Sequence, residues 1–244
     1  MRIPRIYTAQ QLQANAVIEL APGPSQHLSR VLRMQAGDGI ILFDGSGGQY
    51  PATINTLDRK SVVATTTDHD PVERESGLFL HLGIAISRGE RMDWVVQKAT
   101  ELGVGEISPL RTERTEVRLS GERAEKKQRH WQQVANSACE QCGRNRLPHI
   151  NPIQDLAQWM GEVQADSRLV LHHRASPVQT GVASPTSIAL LVGPEGGLSP
   201  AEISAAERAQ FSSLQLGPRV LRTETAPLAA IAILQARWGD MANS

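Results

Sequence analysis

Ile188-Ala189-Leu190-Leu191-Val192-Gly193-Pro194-Glu195-Gly196-Gly197-Leu198-Ser199-Pro200-Ala201-Glu202-Ile203 places an apolar run, a three-glycine loop and a helix start in direct succession. The apolar run fits a strand buried on both faces, as strands of a parallel sheet are. Ser199 and Glu202 have the spacing of a capping box, Pro200 falls at the first helical position, and Leu198 with Ile203 has the spacing of a hydrophobic staple. The loop is therefore held at both ends. Its glycines serve either a tight turn or the close approach of a ligand to the main chain, and ligands of open α/β sheets sit outside the carboxyl ends of strands.

Outward from this stretch, apolar runs at 78–86, 168–172 and 214–216 join 188–192 as expected strands. Helical periodicity covers 90–102, 121–142, 153–163, 200–210 and 226–238; in the last, Leu228, Ile231, Leu234 and Trp238 recur at helical spacing. Strands alternating with helices predict an α/β fold with a mostly parallel sheet. The first part of the chain has a different rhythm. Residues 37–67 read as a β-meander, with strands near 40–43, 50–57 and 61–67 and a turn at Asp44-Gly45-Ser46-Gly47-Gly48, as part of a small barrel. A short strand near Arg5-Ile6-Tyr7 and a helix over 25–34, with Leu28, Val31 and Leu32 on its apolar face, precede it. Residues 68–77 look like a linker. The expected division is a β-domain at 1–72 and an α/β domain at 73–244.

The 244 residues carry 25 basic and 25 acidic side chains, 40% hydrophobic residues and two cysteines, which excludes a disordered chain and a disulfide scaffold. The start, Met1-Arg2-Ile3-Pro4-Arg5, lacks the apolar core of a signal peptide, and no stretch has the 18 or so apolar residues of a membrane span, so a cytoplasmic location without membrane contact is expected. The neutral sum hides segregation. Residues 1–34 hold four arginines against one acidic residue, and 111–146 hold nine basic against five acidic residues. Such regions suit either a phosphate backbone or solvated helix faces. Neither a G-x-G-x-x-G opening a helix nor a G-x-x-x-x-G-K-[ST] occurs, which weakens dehydrogenase, kinase and NTPase readings. Cys139-Glu140-Gln141-Cys142 has no second ligand pair, so no metal site is expected. His172 and His173 end a strand, with no Ser/Asp partner placed to form a triad.

A second loop, Gly217-Pro218-Arg219-Val220-Leu221-Arg222-Thr223-Glu224-Thr225-Ala226-Pro227, brings two arginines and a carboxylate to the mouth of the sheet. Thr225 fits the cap of the last helix, and Glu224 suits its positive end. Arg222 has no such local role; a surface salt bridge and a functional charge remain its two readings.

The two loops together resemble the cofactor-loop motifs of SPOUT-type RNA methyltransferases, with further similarity in Lys98-Ala99-Thr100-Glu101-Leu102-Gly103-Val104, Arg114-Thr115 and Glu140-Gln141-Cys142-Gly143-Arg144. Within that superfamily, the resemblance is to members that methylate N3 of a uridine in 16S rRNA. It implies a PUA-like N-terminal β-barrel that binds RNA, a C-terminal domain tied in a deep trefoil knot, and a homodimer. It further implies S-adenosylmethionine as cofactor, held at Leu171, Gly193, Glu195, Gly196, Gly197, Leu216, Gly217, Val220 and Leu221, with no metal. Arg222 is the expected catalytic cation, and Glu224 either orients it or accepts a proton. RNA contacts are expected at Arg5, Arg30, Arg33, Arg114, Arg144 and Arg146, with 16S rRNA inside the 30S subunit as partner. The alternatives are another RNA atom as methyl acceptor (a ribose 2′-hydroxyl or a guanine nitrogen) or a non-catalytic rRNA-binding assembly factor.

Overall fold

The computed structural model describes residues 3–58, 61–172 and 184–241. They divide into two compact units, one comprising 1–75 with 136–147 and the other 76–135 with 148–244.

The first unit holds β1 (Arg5–Tyr7), β2 (Val17–Leu20), α1 (Pro22–Gln26), β3 (Gly39–Phe43), β4 (Tyr50–Leu57) and β5 (Val62–Thr66). They form a five-stranded sheet in the order β1-β3-β4-β5-β2. The expected meander is its antiparallel centre, while β1 runs parallel to β3. Ile6, Ile40, Leu42, Ile54, Val62 and Leu28 close the core. The expected helix over 25–34 is shorter and wider. A π-turn at His27–Val31, with the Leu32 amide donating to the His27 carbonyl, breaks the 3.6-residue spacing. Consequently only Leu28 is buried; Val31 and Leu32 stay 66% and 38% exposed.

Residues 136–147 belong with this unit, whereas the sequence reading kept them in the second. The reason is hydrogen bonding between distant residues. Glu140 accepts from the Tyr7 amide at 2.9 Å, and Asn145 Nδ2 donates to the Val72 carbonyl at 2.6 Å.

The second unit comprises β6 (Phe79–Ala85), α2 (Arg91–Glu101), β7 (Glu106–Arg111), the first part of α3 (Gly121–Cys142), β8 (His149–Ile150), β9 (Gln154–Asp155), α4 (Leu156–Glu162), β10 (Ser167–Leu171), β11 (Ser187–Val192), α5 (Pro200–Arg208), β12 (Ser212–Leu214) and α6 (Thr225–Trp238). The sheet order is β12-β10-β11-β6-β7-β8, with β9 also on β7, and every described pairing is parallel. The expected α/β architecture is therefore present. Two apolar layers cover the sheet. One contains Leu80, Leu82, Val95, Trp131 and Ile231, the other Leu156, Trp159, Leu191 and Phe211. No helix among the described residues is long and apolar enough to cross a membrane.

Strand β7 has no counterpart in the sequence reading, because Ser108 and Pro109 interrupt its apolar pattern. Pro109 is tolerated because it lies between the short ladders that β7 makes with β8 at 106–107 and with β9 at 110–111. Gly83 in β6 lies under Trp159; a Cβ there would come within 2.5 Å of the indole.

Beside it, His81 is buried, with Nε2 2.8 Å from Ser108 Oγ and accepting from Trp159 Nε1 at 3.2 Å. Burial pushes the His81 pKa below its ordinary 6.5, against the opposing pull of Glu106. The unfolded chain therefore binds this proton more readily than the folded one. Stability from neutral His81 is complete above pH 6.5 and falls as the pH drops below that value toward the lower folded-state pKa. Denaturant midpoints are expected to decrease over this interval in the wild type, and to decrease less in His81→Gln.

Candidate active site

Strands β10, β11 and β12 are direct parallel neighbours, with Val170 opposite Leu191 and Leu171 opposite Leu214. Their carboxyl ends therefore open at one edge of the sheet, where a cavity of about 310 Å³ lies. It is lined by Leu171 at the end of β10, by Gly193, Glu195, Gly196 and Gly197 after β11, and by Leu216, Gly217, Val220 and Leu221 after β12. All nine residues expected in a cofactor site thus converge. Leu198, Leu214 and Val192 add apolar wall; His172, Arg114 and Arg219 add polar or charged groups. His173 lies outside the described residues.

The loop after β11 is built as its sequence suggests. Ser199 Oγ accepts from the Glu202 amide at 3.2 Å, and Glu202 Oε2 accepts from the Ser199 amide at 2.8 Å, completing the capping box. The Gly197 amide donates to the Pro194 carbonyl, and Gly197 takes φ +67°, where a side chain would be strained. A Cβ on Gly193 would lie 2.9 Å from Leu198 Cγ and 3.1 Å from the Leu198 amide nitrogen, so the main chain can approach Leu198 this closely only as glycine. Arg91 at the start of α2 pairs with Glu195 at 3.0 Å. Both side chains are well exposed, so the pair orients Glu195 more than it stabilises the fold.

Arg222 and Glu224 stand outside the lining, although Thr223 between them and Ala226 belong to it. Arg222 is exposed, and neither side chain has a hydrogen bond or ion pair among the described residues. Glu224 therefore does not hold Arg222. The expected cap on α6 also differs. Thr225 is the first helical residue, and Glu224 occupies the cap position with no side-chain cap bond. The Arg222 carbonyl instead accepts from the Thr225 and Ala226 amides at 2.9 Å each.

The six expected RNA-contacting arginines are not alike. Arg30 and Arg33 are exposed, and Arg146 is exposed with a 3.8 Å pair to Glu73. Arg5 hydrogen-bonds Gln49 and Asn145 and lies over the Phe43 ring at 4.9 Å. Arg144 is a correction: it is only 5% exposed, and its guanidinium is committed to the Glu75 carboxylate at 2.6–3.1 Å. It holds residues 136–147 in place instead of facing solvent. Arg114 lines the cavity and donates from Nη1 to the Gly196 carbonyl at 2.8 Å. Sequence reasoning missed this place for Arg114 because it did not recognise β7, whose end positions it. Cys139 is buried, and its hydrogen bond with Cys142 together with burial pushes its thiol far up, so it remains protonated.

The model of the RNA methyltransferase domain family matches residues 74–235, and that of the RNA methyltransferase PUA domain matches 25–67. Ribosomal RNA small subunit methyltransferase E of Buchnera aphidicola subsp. Schizaphis graminum is 34% identical over 98% of both chains. The enzyme of the same name from Neisseria gonorrhoeae, solved bound to S-adenosylmethionine, is 39% identical with a TM-score of 0.93, covering 98% of this chain and 100% of that one. A Legionella pneumophila protein solved with the same cofactor is 41% identical with a TM-score of 0.95, at the same coverage. With both halves of the chain matched, and with two glycine-bearing loops meeting at one cavity, the chain belongs to the RNA methyltransferase family that includes the small subunit methyltransferase E enzymes, as its SPOUT-type motifs indicate.

Proposed function

We propose that this chain binds S-adenosylmethionine in the cavity at the ends of β10, β11 and β12 and methylates N3 of a uridine in 16S rRNA, within the 30S subunit. The observation that carries the reading is the meeting of the three strand ends and both loops around one cavity. Its residues fit the cofactor. Leucine side chains offer an apolar face to a purine, exposed main chain at 193–197 and 216–221 offers donors and acceptors, and glycine at 193, 196 and 197 lets a ligand approach closely.

Bound there, S-adenosylmethionine supplies an electrophilic sulfonium methyl group. The chain's own work is to align the acceptor and to manage charge. Uracil N3 carries an imide proton that must leave, and negative charge builds on the flanking carbonyl oxygens. Arg222, beside the cavity-lining Thr223, binds that charge. Glu224 either accepts the proton from N3 or swings to orient Arg222. The reading includes a homodimer and a trefoil knot in the C-terminal domain.

RNA is held by exposed cations, chiefly Arg30, Arg33 and Arg146. A double charge reversal, Arg30→Glu with Arg33→Glu, is expected to weaken binding of a 16S rRNA fragment by about tenfold at low salt and to flatten its salt dependence, with cofactor affinity unchanged. Filter binding over a salt series checks this, and equal slopes remove the patch from the interface.

The function is tested by transfer of labelled methyl from S-adenosylmethionine to small-subunit rRNA taken from cells lacking the protein, with large-subunit rRNA alongside. Label in the small-subunit RNA alone is expected; tight RNA binding without label favours an assembly factor.

A further inference from the structure

Arg114 leaves the sequence as one more RNA-binding arginine, but it sits where it can act on the cavity itself. The segment after β7 forms a closed turn. Thr115 Oγ1 accepts from the Thr112 amide at 3.0 Å, the Thr115 amide donates to the Thr112 carbonyl at 3.1 Å, and the two hydroxyls lie 2.8 Å apart. Two ties fasten this turn. Arg114 Nη1 donates to the Gly196 carbonyl at 2.8 Å, and the Glu113 amide donates to Glu202 Oε1 at 2.8 Å.

The second tie uses the carboxylate that closes the capping box. Glu202 Oε2 holds the Ser199 amide while Oε1 holds Glu113, so one side chain joins the turn to the helix start that ends the glycine loop. The first tie lies over the loop's middle. Arg114 Cδ and Cβ are 3.5 and 3.6 Å from where a Gly196 side chain would begin, so its aliphatic stem covers that glycine. A loop of three glycines has a large conformational entropy to lose, and external anchors can set its shape before a ligand arrives.

We propose that the turn at Thr112–Thr115 is a strap that preorganises the glycine loop at 193–197 for its ligand, with Arg114 as its positioning residue. The proposal deepens the reading of the cavity as an S-adenosylmethionine site and rests on it for the ligand, though not for the loop. Arg114 acts through Gly196, and its role is distinct from that of the exposed arginines at 30 and 33.

The test compares wild type, Arg114→Ala, Arg114→Lys and Thr115→Val. Amide hydrogen exchange of the ligand-free proteins reads the loop without any cofactor. Exchange in a peptide spanning 193–199 is expected to quicken at least about threefold in Arg114→Ala and Thr115→Val and to return toward wild type in Arg114→Lys, which keeps a donor for the carbonyl. Calorimetry with S-adenosylhomocysteine is expected to show about tenfold weaker binding in Arg114→Ala, partly recovered in Arg114→Lys, with the salt slope for 16S rRNA unchanged. Unchanged exchange across the variants overturns the strap, and so does unchanged S-adenosylhomocysteine affinity with a shallower RNA salt slope. Failure of wild type to bind S-adenosylhomocysteine would instead sink the proposed function, while the exchange result still decides the strap. If Arg114→Ala does not fold, Thr115→Val carries the same two readouts.

Discussion

Replacing Arg222 with alanine is expected to slow methyl transfer by at least about a hundredfold, while the affinity for S-adenosylhomocysteine stays within about twofold. The size is that of removing one group that stabilises developing charge, on the order of 3 kcal/mol. The selectivity follows from position. The Arg222 side chain is exposed, has no partner among the described residues and lies outside the cavity lining. Its structural contribution is its carbonyl, which accepts from the Thr225 and Ala226 amides and survives the substitution. Single-turnover rates at saturating cofactor and RNA measure the effect, and an unchanged rate removes Arg222 from the mechanism.

Trp159→Ala should cost about 3–5 kcal/mol of stability, the range for deleting a large buried aromatic. The indole is 1% exposed, packs on Phe211 at 5.6 Å and edge-on against His81 at 5.5 Å, and fills the space above Gly83. Truncation leaves a void there and removes the donor to His81 Nε2, so a packing loss adds to a buried acceptor with one partner fewer. At roughly 2–4 °C per kcal/mol for a unit of this size, the melting temperature falls by about 6 °C or more. Trp159→Phe should lie between. A loss under about 1 kcal/mol for Trp159→Ala would mean that the α4 side of the sheet is not the well-packed layer described above.

What was legible in the sequence was what short-range chemistry determines. The strand, glycines, capping box and proline around Gly193 act over a few residues, and the same stretch appears in the structure as β11, the loop and α5. The nine residues around the cavity were named on the family resemblance, not on this local chemistry, which by itself left the glycine loop as either a tight turn or a ligand site. Where the outcome depends on distant partners, the reading fell short. Arg144 looked like an exposed cation because Glu75, its partner, is 69 residues away. The membership of 136–147 in the first unit likewise turns on Tyr7 and Val72. Strand β7 was hidden because a serine and a proline interrupt an apolar pattern that neighbouring strands make tolerable. Val31 and Leu32 were placed on one apolar face with Leu28 by an α-helical period that the π-turn does not keep.

In the proposed function, this cavity delivers a methyl group to a uracil nitrogen. The most direct test incubates the protein and isotope-labelled S-adenosylmethionine with 30S subunits, and separately with free 16S rRNA, both from cells lacking the protein, and identifies the labelled nucleoside by mass spectrometry. Labelled 3-methyluridine, appearing with the 30S subunit, is the predicted result. Label in a 2′-O-methylated nucleoside or a methylguanosine, with none in 3-methyluridine, would contradict it.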